Sequence, residues 1–226
     1  MQSGANGTSA TLSATVVSAF LARLGKLLSG ASVRWVGCEP IKTQRIYFAN
    51  HTSHLDFVVL WSALPRELRA ITRPVAAKDY WERGAIRHYV VTKVFNGVLI
   101  ERGHTPGPRE NPDEIRNSAR DTIDRVAEGF GDHYSLIIFP EGTRGTGEYV
   151  KPFKSGLYHL CRRRPDVELV PVYLENLNRI LPKGAFLPVP LLSSVTFGPP
   201  LRFQDGEDKA EFLKRAHTAL CSLKSA

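Results

Sequence analysis

A histidine and an aspartate five positions apart, His51 and Asp56, have the clearest chemical potential in this chain. They lie in the segment NHTSHLD (residues 50–56), where an apolar run ends. A carboxylate that holds one ring nitrogen of a histidine leaves the other nitrogen as a base, as in a catalytic triad. The pattern resembles a triad without its serine, so the hydroxyl that this base activates is expected to belong to the substrate.

Two other interpretations of this segment remain open. A histidine and an aspartate near the start of a helix often form only a structural hydrogen bond. His51, His54 and Asp56 are also possible metal ligands, but no fourth ligand follows at the spacing of known metal motifs. We therefore predict no metal site, and we expect His54 to have a packing or supporting role.

A second segment, FPEGTRG (residues 139–145), has the features of an anion-binding loop. Glycines allow backbone N–H groups to approach an anion closely, and Arg144 can hold a phosphate with two parallel hydrogen bonds. Lys151 and Lys154 follow within ten residues and add positive charge. A third segment, residues 96–102, is a predicted strand that ends in Arg102. The alternative for each loop alone is a solvated surface loop.

The elements around these segments position them. Residues 46–49 and 135–139 are apolar runs typical of buried strands, and residues 53–63 have a helical apolar face. Asp56 then falls in the first turn of the helix, where the helix dipole favours a carboxylate. His51 lies just before this helix, within reach of that carboxylate.

Together, these segments resemble the glycerolipid acyltransferase family typified by lysophosphatidic acid acyltransferases. The family's histidine and aspartate separated by four residues match His51 and Asp56. Its glycine-x-x-x-acid-arginine strand resembles Gly97 to Arg102, with Glu101 where the family often has Asp. Its third motif matches FPEGTR at every position, and its proline-containing strand resembles residues 169–172. The resemblance covers about residues 36–198, with the motifs in the family's order.

The resemblance implies transfer of a fatty acyl group from a thioester to the free hydroxyl of 1-acylglycerol 3-phosphate. His51 would be the base, and Asp56 would orient it. The implied contacts with the glycerol phosphate are Arg102, Glu141, Gly142, Thr143 and Arg144, with Lys151 and Lys154 as additional anion contacts. The donor would be acyl-CoA or acyl carrier protein, with no cofactor. Another acceptor, such as glycerol 3-phosphate, another lysophospholipid or an ornithine-type lipid, and a noncatalytic lipid-binding protein remain alternatives.

Composition limits the class of protein. The 226 residues suffice for one domain, and 42% hydrophobic residues with a mean hydropathy of -0.18 are not typical of a multi-span membrane protein. The net charge of +8 suits an anionic bilayer or acidic substrates, and no nucleic-acid motif is present. Three widely spaced cysteines suggest reduced thiols and no disulfide framework. We expect a cytoplasmic protein, peripheral on the inner face of the cytoplasmic membrane.

The domain organisation is simple. Residues 1–12 are predicted to be disordered, residues 13–30 to form an amphipathic helix, and residues 31–226 to form the acyltransferase domain. The helix is too short and too charged to span a bilayer, so it either packs on the domain or lies in the membrane interface. Strands alternate with helices, which predicts an α/β fold with a mixed, largely parallel sheet covered by helices. The predicted later elements are helices in 111–131, 155–164 and 209–223, strands at 169–174 and 194–197, and a proline-rich loop at 181–190.

Overall fold

The computed structural model describes residues 17–20, 23, 32–53, 56–101, 112–177 and 193–225. The strands are β1 (Ser32–Trp35), β2 (Arg45–Ala49), β3 (Thr72–Ala77), β4 (Val98–Ile100), β5 (Ser135–Ile138), β6 (Glu168–Glu175) and β7 (Ser194–Phe197). The helices are α1 (Asp56–Ala63), α2 (Arg66–Ala70), α3 (Lys78–Trp81), α4 (Ala85–Tyr89), α5 (Pro112–Phe130), α6 (Gly156–Arg163) and α7 (Lys209–Cys221). A π-helical turn at Val90–Val94 follows α4, and a 3-10 turn at Ser222–Ser225 follows α7.

The seven strands form one sheet in the order β1-β7-β6-β2-β5-β3-β4. Neighbouring strands are parallel except at β6 and β7, which pair antiparallel. Helices cover both faces, so the predicted α/β fold with a mixed, largely parallel sheet is confirmed.

The core lies in two layers, one on each face of the sheet. Along β2, Tyr47 and Ala49 pack in one layer and Ile46 and Phe48 in the other, which is the alternation expected of a strand. Helix α1 covers the first layer, and helices α5, α6 and α7 cover the second. Both faces of β2 are fully buried, which explains its continuous apolar sequence.

The sheet brings the two predicted site segments together. β2 and β5 are adjacent and parallel, with Ile46 opposite Leu136 and Phe48 opposite Ile138. Their carboxyl ends therefore meet at one edge of the sheet, which we call the carboxyl edge. Residues 50–53 leave β2 there, and residues 139–145 leave β5 there, one strand spacing of about 4.8 Å away.

Most of the predicted elements are confirmed. Strands occur at the predicted positions of β2, β5, β6 and β7, and helices occur at those of α1, α5, α6 and α7. The four side chains predicted to point inward from the last helix are all buried: Phe212, Ala216, Leu220 and Leu223.

No sequence pattern predicted β1, β3 or the short helices between residues 66 and 89. β3 contains Pro74, which has no N–H to donate in a sheet and therefore argues against a strand. The structure accommodates it because β3 pairs with β5 at residues 72–74 and with β4 at residues 75–77. Pro74 lies at the last position of the first pairing.

Three predicted features lie largely or wholly outside the described residues. Only residues 17–20 and 23 of the amphipathic segment 13–30 are described, and they are helical. The disordered segment 1–12 and the proline-rich loop at 181–190 are not described. In the part of the chain that the structure describes, no helix is long and apolar enough to cross a membrane.

The contact between α5 and β4 predicts a stability effect at Gly129. A Cβ atom at this helical position would lie 2.4 Å from Cγ2 of Val98, so the side chain of Val98 must shift. We expect Gly129→Ala to lower the free energy of unfolding by about 1–3 kcal/mol through overpacking. Gly156→Ala is the matched control because its Cβ would lie 3.5 Å from Ile123, an ordinary contact. Equal stabilities of the two variants in denaturant unfolding would contradict this prediction.

Candidate active site

His51 and Asp56 form the hydrogen bond that the sequence predicts. Nδ1 of His51 lies 2.8 Å from Oδ2 of Asp56. The carboxylate can only accept, so Nδ1 carries the proton and Nε2 presents its lone pair as a base. The Asp56 side chain is fully buried, whereas the His51 side chain is 24% exposed. The pair therefore combines a fixed carboxylate with an imidazole that substrate can reach.

Backbone donors hold the Asp56 carboxylate in place. Oδ2 accepts from the N–H groups of Thr52 and Ser53 at 2.5 and 2.8 Å, in addition to His51. Asp56 is also the first residue of α1, where the helix dipole favours a negative charge. These contacts stabilise a buried charge without a cationic partner.

Phe139 fixes the plane of the imidazole. Its ring stacks on the ring of His51 with a centroid distance of 4.4 Å and an interplanar angle of 24°. Phe139 follows β5 directly, so the adjacent strand supplies the surface on which the base rests. The first residue of the FPEGTR segment thus acts on the histidine.

Glu141 joins the two segments through their backbones. Oε1 accepts from the N–H of His51 at 2.7 Å, and Oε2 accepts from the N–H of Lys151 at 2.9 Å. The residue is 3% exposed. These contacts give Glu141 a positioning role, and a direct contact with substrate stays a prediction.

The glycines of the loop permit close approach of neighbouring groups. Gly142 has a φ of 68°, and a Cβ there would lie 2.8 Å from Cδ and Cε of Lys154. The Lys154 side chain therefore runs directly across Gly142. The N–H of Gly145 donates to the carbonyl of His51 at 2.7 Å, which is a second connection between the loops.

The predicted cations surround this loop. Arg144 and Lys154 are exposed, and Lys151 is half-buried. Nζ of Lys151 donates to the Arg144 carbonyl at 2.8 Å and lies 3.5 Å from Oγ1 of Thr143. The structure thus brings Gly142, Thr143, Arg144, Lys151 and Lys154 into one loop region beside the base.

Two predicted residues of interest lie outside the described residues. Arg102 follows β4 and Glu101, and His54 lies between Ser53 and α1. Within the described part of the chain, no group of three or more His, Cys, Asp or Glu side chains is placed to hold a metal ion.

Asn50 is a positioning residue that the sequence did not single out. Its amide nitrogen donates to the carbonyl of Leu174 at 2.9 Å, and its amide oxygen accepts from the N–H of Leu174 at 2.8 Å. The side chain therefore pairs with β6 as a strand would, one residue before the base. The only available signal was a polar residue directly after an apolar strand.

His217, on α7, contacts the backbone of the segment between the FPEGTRG loop and Lys151. Its Nε2 lies 3.0 Å from the carbonyl of Val150, and a carbonyl can only accept, so Nε2 is protonated. Sγ of Cys221 lies 3.7 Å from Nδ1, and burial raises the pKa of this thiol, which favours the S–H form that can donate to Nδ1. Nζ of Lys224 donates to the carbonyl of Glu148 at 3.2 Å. The carboxyl-terminal helix thus holds the backbone that Glu141 binds.

The fold and these contacts define a class of protein: an α/β domain with a histidine base oriented by a buried aspartate, beside a cationic glycine-containing loop. The chain belongs to the Acyltransferase family, whose model matches residues 32–175. The resemblance to glycerolipid acyltransferases that the motifs predicted is therefore confirmed.

Two individual proteins have sequences similar to that of this chain. A 1-acyl-sn-glycerol-3-phosphate acyltransferase of Limnanthes douglasii is 28% identical over 195 residues, which are 81% of this chain and 63% of that protein. A Dictyostelium discoideum protein named Taffazin is 32% identical over 157 residues, 67% of this chain and 52% of that protein. The chain thus spans only about half to just under two thirds of the length of these relatives.

A solved structure has the same fold. The crystal structure of the 1-acyl-sn-glycerophosphate acyltransferase PlsC from Thermotoga maritima matches with a TM-score of 0.67 at 18% identity. The match covers 94% of this chain and 80% of that one.

The bridge formed by Glu141 predicts a specific loss in Glu141→Gln. The amide nitrogen of glutamine cannot accept a hydrogen bond, so the N–H of His51 or of Lys151 loses its partner. We expect the free energy of unfolding to fall by about 1–3 kcal/mol, the cost of an unsatisfied buried group. Glu148→Gln, an exposed acid on the same loop, is the matched control. Denaturant unfolding checks the prediction, which fails when both variants are equally stable.

The contact between His217 and Val150 predicts different outcomes for two amide substitutions. Glutamine places an N–H donor near the position of Nε2, whereas asparagine is one methylene shorter. We expect His217→Gln to keep the hydrogen-exchange protection of the Lys151 amide, and His217→Asn to lose most of it. Amide exchange followed by NMR or mass spectrometry measures both. Equal protection in the two variants would show that His217 does not position this loop.

Proposed function

We propose that this protein transfers a fatty acyl group from a thioester to the free hydroxyl of 1-acylglycerol 3-phosphate, giving phosphatidic acid. The observation that carries the proposal is the hydrogen bond of 2.8 Å between His51 and the buried Asp56, with the cationic loop beside it. A histidine base oriented in this way suits a reaction in which the substrate supplies the hydroxyl.

The chemistry follows from this geometry. Nε2 of His51 removes the proton of the acceptor hydroxyl while its oxygen attacks the thioester carbonyl. Asp56 stabilises the imidazolium that forms, as the aspartate of a catalytic triad does. The tetrahedral intermediate collapses with cleavage of the carbon–sulfur bond, and the imidazolium returns the proton to the departing thiolate. The products are an ester and a thiol, and His51 is again neutral.

The loop supports a phosphate-bearing acceptor. Arg144 is exposed, and Lys154 runs across Gly142, so positive charge lies next to a backbone that adopts a positive φ. Guanidinium groups hold phosphates with paired hydrogen bonds, and lysine binds them as a point charge. Lys151 adds a third cation, and we propose Arg102 as a fourth from its place in the sequence.

The choice of acceptor draws on the relatives. The protein from Limnanthes douglasii is named a 1-acyl-sn-glycerol-3-phosphate acyltransferase, and the crystal structure from Thermotoga maritima has an equivalent title. We propose the same acceptor here, with acyl-CoA or acyl carrier protein as the donor and no cofactor. The net charge of +8 supports work at an anionic membrane surface, peripheral on the inner face of the cytoplasmic membrane.

The test uses the purified full chain with lysophosphatidic acid in anionic vesicles. Each acyl thioester is supplied in turn, and lipid products are identified by mass spectrometry. We expect phosphatidic acid from the native protein. His51→Ala and Asp56→Asn should each lower kcat by about 10²–10⁴-fold, the contribution of a positioned general base.

His133→Ala is the matched control for these variants. This exposed histidine precedes β5 and therefore lies at the opposite edge of the sheet from His51. Its kcat should stay within about twofold of the native value, because surface substitutions away from a site have small effects. Near-native turnover by His51→Ala would refute the assignment of the base. Acylation of another lysolipid or of glycerol 3-phosphate, but not of lysophosphatidic acid, would refute the acceptor alone.

A further inference from the structure

Residues 82–88 form an exposed projection that the chemistry of His51 does not use. All seven residues are exposed, and they contain the start of α4. Ile86 is 82% exposed, more than any other large hydrophobic side chain that the structure describes. Arg83 and Arg87 lie three positions before it and one position after it. We call Arg83, Ile86 and Arg87 the docking tip.

Positive charge prevails around the docking tip. The segment from Lys78 to Lys93 has four Lys and Arg residues against Asp79 and Glu82. The guanidinium of Arg87 lies 4.8 Å from the centre of the Tyr80 ring, so an aromatic face holds one of the cations in place. An apolar side chain flanked by arginines matches the interface of an anionic bilayer, in which phosphates surround the acyl chains.

The docking tip lies shortly after the carboxyl end of β3 in the chain. β3 neighbours β5 and runs parallel to it, and α3 begins at the residue after β3. Trp81 at the end of α3 contacts Phe57 edge-on, with a centroid distance of 5.4 Å. Phe57 is the residue after Asp56. Helix α1, whose first residue is Asp56, therefore contacts the helix that precedes the docking tip.

We propose that the docking tip binds the surface of an anionic phospholipid bilayer, with Ile86 in the interface and Arg83 and Arg87 on lipid phosphates. This contact turns the carboxyl edge, and with it His51, towards the membrane. This inference rests on the proposed function, because a lipid acceptor requires the site to face a lipid surface. A protein partner fits less well, because a stable interface buries about 800 Å² on each side around an apolar centre, and the tip offers one large apolar side chain.

Vesicle co-sedimentation of the full chain tests this surface. The vesicles contain phosphatidylcholine with or without about one third phosphatidylglycerol. Each arginine near an anionic surface strengthens binding about fivefold, so the double variant Arg83→Ser/Arg87→Ser should weaken binding to anionic vesicles at least about tenfold. Ile86→Ser should weaken binding to anionic vesicles about fivefold, since it removes one apolar side chain from the interface.

Ile41→Ser and Lys42→Ser are matched controls. Both residues are exposed, and they precede β2, so they lie at the opposite edge of the sheet. We expect native binding from both. Binding of Ile86→Ser and of the double arginine variant at the level of these controls would overturn the proposal. So would an equal loss for the arginine variant on neutral vesicles, because the effect would then not depend on lipid charge.

A second assay separates this inference from the proposed function. With a short-chain lysophosphatidic acid dissolved as monomers, both docking-tip variants should keep the native kcat and KM, while their rates on anionic vesicles fall with binding. Reduced kcat on the monomeric substrate would overturn the docking role by showing a defect in the site itself. Vesicle binding is measured without turnover, so a protein that is inactive on every lysolipid still tests the docking tip.

Discussion

The carboxylate of Glu141 is the contact on which the rest of this site depends. One oxygen holds the N–H of His51 and the other holds the N–H of Lys151, so a single side chain fixes the backbone of the base relative to the cationic loop. The hydrogen bond from Gly145 to the carbonyl of His51 adds a second connection. These hydrogen bonds join the two segments through backbone N–H and carbonyl groups. Exposed side chains of the loop can therefore differ without changing the position of His51 relative to the loop.

This contact is possible because β2 and β5 are parallel neighbours. Segments far apart in the sequence leave the sheet at the same edge, about one strand spacing from each other. Asn50 fixes the first segment to β6, and His217 fixes the second through Val150. The site is therefore held from three directions: by the strand on the far side of β2, by the loop after β5 and by the last helix.

The sequence predicted the parts of this arrangement that depend on local pattern. Apolar runs identified β2 and β5, and the spacing of His51 and Asp56 identified the orienting hydrogen bond. The role of Glu141 was not predictable in this way, because its partners are backbone N–H groups 90 and 10 residues away in the chain. His217 lay in a predicted helix, but no sequence pattern connects it with Val150. β3 was missed because the change of pairing partner that accommodates Pro74 is a property of the sheet.

The partners of the two buried acids explain how the site keeps its positive charge. Asp56 and Glu141 would attract cations if their oxygens were exposed, and an ion pair would then compensate the positive charge of the loop. Both acids are buried, and backbone N–H groups occupy Oδ2 of Asp56 and both oxygens of Glu141, whereas Oδ1 of Asp56 is buried without a hydrogen-bond partner. Among the described residues, no ion pair involves Arg144, Lys151 or Lys154. Burying these carboxylates against backbone donors thus fixes His51 and leaves the positive charge of the loop uncompensated by these two acids.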